Sequence, residues 1–265
     1  HTRLQGDWSS DVCSSDLDSP LKIAKFGISS VMSIGDDELC EYMREKYSKA
    51  YHMSYSPIEK SDKDYRAKRI TAYLDMVQMI VDFQIKEIKA SSFEPGTDLT
   101  KYFEMLPDDH SLKKAYQAML LASGSERERL EAELRNAVKP GDLDVNIMTK
   151  IDRNNVDQNR EPLPAEYSDA LSALRGFAMS KLSSSIVFSA GFNRRLYAYI
   201  AKFSDFFPDE LGVLKKKIVL KVSDFRSSLI QGKFLAKKGV WVSEYRIESG
   251  LNCGGHAFPS DGYLL

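Results

Sequence analysis

Hydrophobic residues change their spacing twice along the chain, and these changes divide it into three regions. The run from Leu21 to Gly35, LKIAKFGISSVMSIG, is apolar and rich in β-branched residues, which predicts a strand followed by a loop. From residue 36 to about residue 140 the spacing becomes helical. Its clearest stripe repeats at three and four residues, at Ile70, Tyr73, Leu74, Val77, Ile80, Val81 and Ile88. We therefore expect an early strand within 18–35 and a helical insertion over 36–140.

Beyond Gly141, short apolar runs alternate with single helical patterns. The predicted strands are DLDVNIMTKI, SSIVFSAG, KKKIVLKVS and VWVSEYRIES. Buried apolar strands joined by single helices are typical of a parallel sheet, so the predicted fold class is α/β. The absence of a Gly-x-Gly-x-x-Gly turn favours a barrel over a dinucleotide-binding sheet. Five strands are visible where a barrel has eight. We expect an incomplete aldolase-type (β/α)8 TIM barrel with a helical insertion, its barrel units running over 141–265.

The first seventeen residues differ in character from the rest. HTRLQGDWSSDVCSSDL looks like the translation of a common short-read sequencing adapter, so we exclude residues 1–17 from the native fold. The alternative is a disordered N-terminus rich in serine and aspartate. On the adapter interpretation, Asp7 to Leu17 should have no packed role. Together with the apolar ending SDGYLL, it predicts that this chain is an internal fragment of a longer protein.

Charge and cysteine content restrict the classes of function. The formal net charge is −1, and it becomes +1 once Arg3, Asp7, Asp11 and Asp16 are set aside with the first seventeen residues. Signs are interspersed, which favours neither nucleic acid nor a membrane surface as a partner. Only Cys40 and Cys253 then remain, which indicates a reducing, cytoplasmic location. We expect a small-molecule substrate and make no prediction of oligomeric state.

The stretch ESGLNCGGHAF, which follows the last predicted strand, carries the candidate chemistry. At the C-terminal end of a barrel strand, His256 would face the active site, and imidazole suits a general base that works near neutral pH. Gly254 and Gly255 would let the backbone approach a flat ligand closely. One alternative is a histidine satisfied by loop carbonyls. Another is a metal pair or a thiolate–imidazole dyad with Cys253.

The block KKKIVLKVSDFRSSLIQGKFLAKKGVWVSEYRIESGLNCGGHAF, Lys215 to Phe258, resembles the nitronate monooxygenase (2-nitropropane dioxygenase-like) family of flavoproteins. In that family a strand bearing a lysine, a helix and a further strand lead into a Gly-Gly-His loop. The DVNIM and SIVFSAG strands are similar in order, so the resemblance covers about 120 residues, 142–265. Asn252, Cys253 and Phe258 depart from the family's pattern.

The resemblance implies an FMN-dependent oxidoreductase in which His256 is the catalytic base. It also implies no metal, and these cofactor-binding residues: Asn146, Lys221, Ser249, Gly254 and Gly255. An ammonium in a mostly apolar strand needs an anionic partner, which a reduced flavin would supply to Lys221. Alternatively, Lys221 emerges at the barrel rim and Asn146 satisfies neighbouring backbone.

Two other functions stay open on the same scaffold. One is a flavin-dependent enoyl reductase. The other is a non-catalytic binding or assembly module whose helical insertion is the functional surface. If the insertion covers the C-terminal face of the barrel, it should act as a lid. We also expect flavin to bind weakly or not at all, because the phosphate loops of such barrels follow the seventh and eighth strands.

Overall fold

The computed structural model describes residues 14–157, 159–189 and 191–248. Five strands form one sheet: β1 (Ser30–Ser33), β2 (Leu143–Met148), β3 (Ser185–Ser189), β4 (Lys217–Val222) and β5 (Glu244–Ile247). The α-helices of these residues are α1 (Ser14–Ile23), α2 (Asp37–Ala50), α3 (Tyr65–Ala90), α4 (Asp98–Glu104), α5 (Ser111–Leu121), α6 (Gly124–Ala137), α7 (Asp169–Met179), α8 (Arg194–Ile200) and α9 (Phe225–Ala236). Short 3-10 helices cover Ala24–Phe26, Ala165–Tyr167 and Ser204–Phe206.

The sheet is parallel, and its strands lie side by side in chain order, β1-β2-β3-β4-β5. Right-handed crossovers that always step in one direction place every connecting helix on the same face. The register agrees, since Met32, Val145, Ile186 and Ile218 form one row across four strands and all are buried in the core. The predicted α/β class is therefore confirmed as a five-stranded parallel sheet.

Strand β2 is fully buried on only one of its two faces. Its positions alternate, with Leu143, Val145 and Ile147 buried and Asp144, Asn146 and Met148 half-buried. The helices cover one face, while the opposite face combines polar side chains such as Asp144 and Asn146 with the buried Val187 and Val219 of β3 and β4.

The segment before β1 is helical where a strand was expected. Helix α1 continues to Ile23, and only Ser30–Ser33 of the predicted strand region is extended. Leu17 is fully buried, and its carbonyl accepts a 2.8 Å hydrogen bond from the hydroxyl of Tyr73. The expectation that Asp7 to Leu17 has no packed role is therefore wrong at its last residue. Trp8 and Val12 lie outside the described residues.

The last described strand, β5, is exposed although its sequence had predicted a buried strand. It pairs with β4 along one side only, as the edge of the sheet. Tyr245 and Ile247 are each 49% exposed. Val240 and Val242, which were included in the predicted strand, precede the extended segment.

Helix α3 is the central element of the region 36–140. All seven residues of its predicted stripe are buried. The helix packs against α1, α2 and α7, in the same layer as the helix that follows β2. The Cβ of Ile70 lies 2.7 Å from a Cβ built on Gly176 of α7, so the two helices touch where only glycine fits. Helices α2 and α7 cover this stripe, and a lid over the C-terminal face stays a prediction.

Helices α4 to α6 lie at the N-terminal edge of the sheet. Lys25 pairs with Asp98 of α4 at 2.6 Å, and the Tyr102 hydroxyl donates to the Lys139 carbonyl at 3.1 Å. These partners directly precede β1 and β2, so α4 sits at the N-terminal edge. Phe93, Phe103 and Tyr116 stack together inside this group. No helix within the described ranges is long and apolar enough to cross a membrane.

Candidate functional site

A cavity of about 550 Å³ lies at the C-terminal edge of β1 and β2. Ser33, Asn146 and Met148 line it from the ends of these strands. The start of α2 and the start of α7 close its sides, because both helices begin just after a strand-to-helix connection at this edge. Ligands of open and closed parallel α/β sheets bind at this edge, where the connecting loops converge.

The α2 wall begins with two aspartates that have different roles. Asp36 caps the helix, because its carboxylate accepts a 3.0 Å hydrogen bond from the backbone N–H of Leu39. Asp37 instead turns inward and pairs with Arg66 at 2.9 Å and with Arg69 at 3.0 Å. Burial raises the pKa of Asp37, and the two guanidinium groups oppose that shift.

Arg66 joins three helices at the cavity wall. Its Nη1 donates to Asp37 of α2 at 2.9 Å and to Asp169 of α7 at 3.1 Å, while the arginine itself belongs to the first turn of α3. Arg153 adds a 3.4 Å contact to Asp169 from the loop after β2. This network fixes the positions of the helix starts that form the cavity.

A hydrogen-bond network centred on the carboxylate of Asp152 holds together the loops after β2 and β3. Asp152 accepts hydrogen bonds from Arg195 at 2.6 Å, from Asn193 at 2.8 Å and from the backbone N–H of Ala170 at 3.2 Å. Burial alone would raise the pKa of Asp152, but hydrogen bonds, including those from Arg195 and Asn193, outweigh it and lower the pKa. An ionised carboxylate therefore ties the loop after β2 to the loop after β3 and to the start of α7.

Asn146 is the predicted cofactor residue that lies in this cavity. It is half-buried on the polar face of β2, and its amide donates to the hydroxyl of Ser33 at 3.4 Å. Its amide group therefore belongs to the wall of the cavity.

Lys221 lies on the same face of the sheet as Asn146 but not in the cavity. The register pairs Asn146 with Val187 and Val187 with Val219, and Lys221 follows Val219 by two residues. Strand spacing then places Lys221 roughly 12 Å from Asn146. Its ammonium pairs with Glu248 at 2.7 Å, so a protein carboxylate supplies the anionic partner that the strand position requires.

Other charged groups share this polar face. Asp144 accepts a 2.7 Å hydrogen bond from the N–H of Ser185, and burial raises its pKa while that bond and Arg246 oppose the shift. Arg246 also pairs with Glu244 at 2.8 Å. The face that turns away from the helices is thus suited to polar contacts.

The remaining predicted residues lie outside the described part of the chain. They are Ser249, Gly254, Gly255 and His256, together with Cys253 of the alternative metal or dyad site. The structure therefore describes two of the six predicted site residues, Asn146 and Lys221, and does not place them in contact.

Sequence reasoning missed Arg66, Asp37 and Asp169, which form the charged wall of the cavity. Asp37 was interpreted only as part of a helix start. Arg66 and Arg69 are three residues apart, so their side chains lie on the same face of the helix. Asp169, the partner of Arg66 in α7, is 103 residues away in the sequence. Local pattern carries no signal for such a distant pair.

Comparisons with protein-family models, with curated proteins and with solved structures gave no significant match in any of the three.

Proposed function

We propose that this chain is part of an FMN-dependent oxidoreductase that resembles nitronate monooxygenases and is built on a (β/α)8 barrel. The barrel is supported by the strand order, because sequential parallel strands with helices on one face are the arrangement that closes into a barrel. A doubly wound sheet would instead reverse its strand order at one point. A cytoplasmic location is part of the same proposal.

The observation that carries the proposal is the position of Asn146 in a cavity at the C-terminal edge of β2. The cavity volume of about 550 Å³ lies within the range of about 300–1,000 Å³ for small-molecule sites. Asn146 offers an amide, Ser33 a hydroxyl, and Met148 a polarisable apolar contact. These groups fit the edge and the face of a flat heteroaromatic ring.

In this proposal Asn146 and Ser33 would hold the flavin ring by hydrogen bonds. Bound FMN supplies electron acceptance from the substrate. Lys221 would stabilise the negative charge of a reduced flavin ring only if its ammonium turned away from Glu248. We therefore assign Lys221 a secondary role. His256 remains the proposed base, on the resemblance of the Gly-Gly-His loop.

Flavin titration tests this proposal directly. We expect FMN added to the purified 265-residue chain to bind weakly, with quenching of flavin fluorescence and a perturbed absorbance band at about 450 nm. Asn146→Ala should weaken binding about fivefold, the effect of one lost neutral hydrogen bond. Because the assigned residues contact the ring, riboflavin should bind as FMN does.

Asn136→Ala is the matched control, since Asn136 is an exposed asparagine in α6, far from the cavity. It should leave flavin binding unchanged. Equal affinities of the wild-type chain and Asn146→Ala for flavin would remove the proposal.

A further inference from the structure

A second cavity, of about 690 Å³, lies beside the first. Two loops enclose it: the α2–α3 loop, which contributes residues 60–64, and the long loop after β2, which contributes Val156, Asp157, Asn159, Leu163, Pro164 and Tyr167. In the second loop Val156 and Pro162 form an isolated antiparallel bridge, which shapes the loop into a short hairpin. Both loops stand at the C-terminal edge of the sheet, so the cavity is placed where α/β proteins bind small molecules.

The walls of this second cavity are largely apolar or aromatic. Tyr65, Val156, Leu163, Pro164 and Tyr167 contribute to them. Val156 is 54% exposed, which is high for an aliphatic residue that lines a concave surface. An apolar ligand body would bury these side chains, and each fully buried side chain of this size is worth roughly 1.5–3 kcal/mol.

Arg66 belongs to the walls of both cavities. Its Nη1 is turned toward Asp37 and Asp169, which line the first cavity only. In the part of the chain that the structure describes, no acceptor meets Nε or Nη2 of Arg66. These two N–H groups form the edge of a guanidinium that binds a carboxylate with two parallel hydrogen bonds.

Acidic residues that line the same cavity also accept hydrogen bonds. Asp64 accepts from Nε of Arg175 at 2.6 Å, Asp62 from the N–H of Glu59 at 3.0 Å and Asp157 from the N–H of Glu161 at 2.9 Å. Lys63 lies on the same exposed rim. Backbone donors leave Asp62 and Asp157 negatively charged, so attraction for an incoming anion rests on the open edge of Arg66 and on the Lys63 ammonium.

We infer that the second cavity binds a small organic acid, with its apolar body between Tyr65, Leu163 and Tyr167 and its carboxylate on the Nε–Nη2 edge of Arg66. This inference goes beyond the proposed flavin site and does not depend on it. The loss of flavin binding would leave it standing, since the acid occupies the other side of Arg66.

The test uses 4-phenylbutyrate as the probe and its neutral amide, 4-phenylbutyramide, as the matched control. Each is titrated into the 265-residue chain, and amide shifts in residues 60–66 and 156–167 are followed by heteronuclear NMR. We expect the acid to bind about 10- to 100-fold more tightly than the amide, the range for hydrogen bonds to a charged group. Arg66→Gln should abolish this preference, whereas Arg129→Gln, which removes two ion pairs on the exposed side of α6, should retain it.

Arg66→Gln also removes two ion pairs, so a second variant keeps the test decisive. Val156→Trp fills the cavity from an exposed position and leaves the ion pairs intact. It should weaken binding of both probes about tenfold or more. Equal binding of acid and amide, shifts outside the two loops, or unchanged binding in Val156→Trp would each overturn the inference.

Discussion

Lys216 is fully buried at the start of β4, and its surroundings allow a sharp prediction of how stability depends on pH. Its ammonium donates to the carbonyls of Ser180 and Leu182, both at 2.8 Å, and lies 4.7 Å from the ring centroid of Phe177. Asp205 is the nearest carboxylate, at 3.9 Å. Burial lowers the pKa of Lys216 from 10.5 to about 8, and Asp205 only partly opposes the shift.

The sign of the effect follows from the order of the two titrations. The folded protein releases this proton near pH 8, whereas the unfolded chain keeps it until about pH 10.5. Between these values the unfolded state binds more protons, so the free energy of unfolding rises with pH. Each pKa unit corresponds to about 1.4 kcal/mol, so the full effect is about 3 kcal/mol, with most of it gained by pH 10.

The variant Lys216→Met isolates this contribution. Urea denaturation of wild type and variant, measured from pH 7 to pH 10, should show wild type gaining roughly 2–3 kcal/mol relative to the variant. The constant cost of leaving two carbonyls unpaired in the variant cancels from this slope. Lys217→Met, at the exposed neighbouring position, should show no such slope. A difference that stays flat from pH 7 to pH 10 would refute the reasoning, because the carbonyls and Phe177 would then compensate fully for burial.

Three further perturbations test the packing. A Cβ on Gly141 would lie 2.1 Å from the backbone of Ile28, so Gly141→Ala should destabilise the protein by about 1–3 kcal/mol in urea denaturation, and an unchanged midpoint would contradict this contact. Asp37→Asn should cost about 3–5 kcal/mol, because Arg66 and Arg69 lose a buried counter-charge, and thermal unfolding followed by circular dichroism would measure it. Leu17→Ala should cost about 2–5 kcal/mol if its burial contributes to folding, and a melting temperature equal to that of wild type would show that it does not.

Sequence periodicity was sufficient for most elements. The α3 stripe was read correctly at every position because a helix of 26 residues repeats its signal over seven turns. Four strands after Gly141 were located because each is a short apolar run bounded by loop residues. The segment before β1 failed because LKIAKF is apolar without a period long enough to separate helix from strand, and α1 was decided by packing against α3 and β1.

The candidate site was predictable only in part. Asn146 was assigned from the family resemblance of the DVNIM strand, and the structure puts it in a cavity at the strand ends, where the connecting loops of a parallel sheet converge. Arg66, Asp37 and Asp169 could not be predicted, because their pairing depends on how three helix starts converge in space. The apolar character of a run also does not reveal which face a helix covers, so the polar face of β2 and the exposure of β5 went unseen.

By itself, the sequence determined most of the helical and extended segments and the α/β class, because both depend on the local spacing of apolar residues. Tertiary structure alone decided the order of strands, the side on which the helices lie, the two cavities at the C-terminal edge and the burial of Lys216. Those features depend on contacts between residues that lie tens to more than a hundred positions apart, such as Arg66 and Asp169. Their free energy is gained only when the chain folds back on itself, so no local window of sequence contains it.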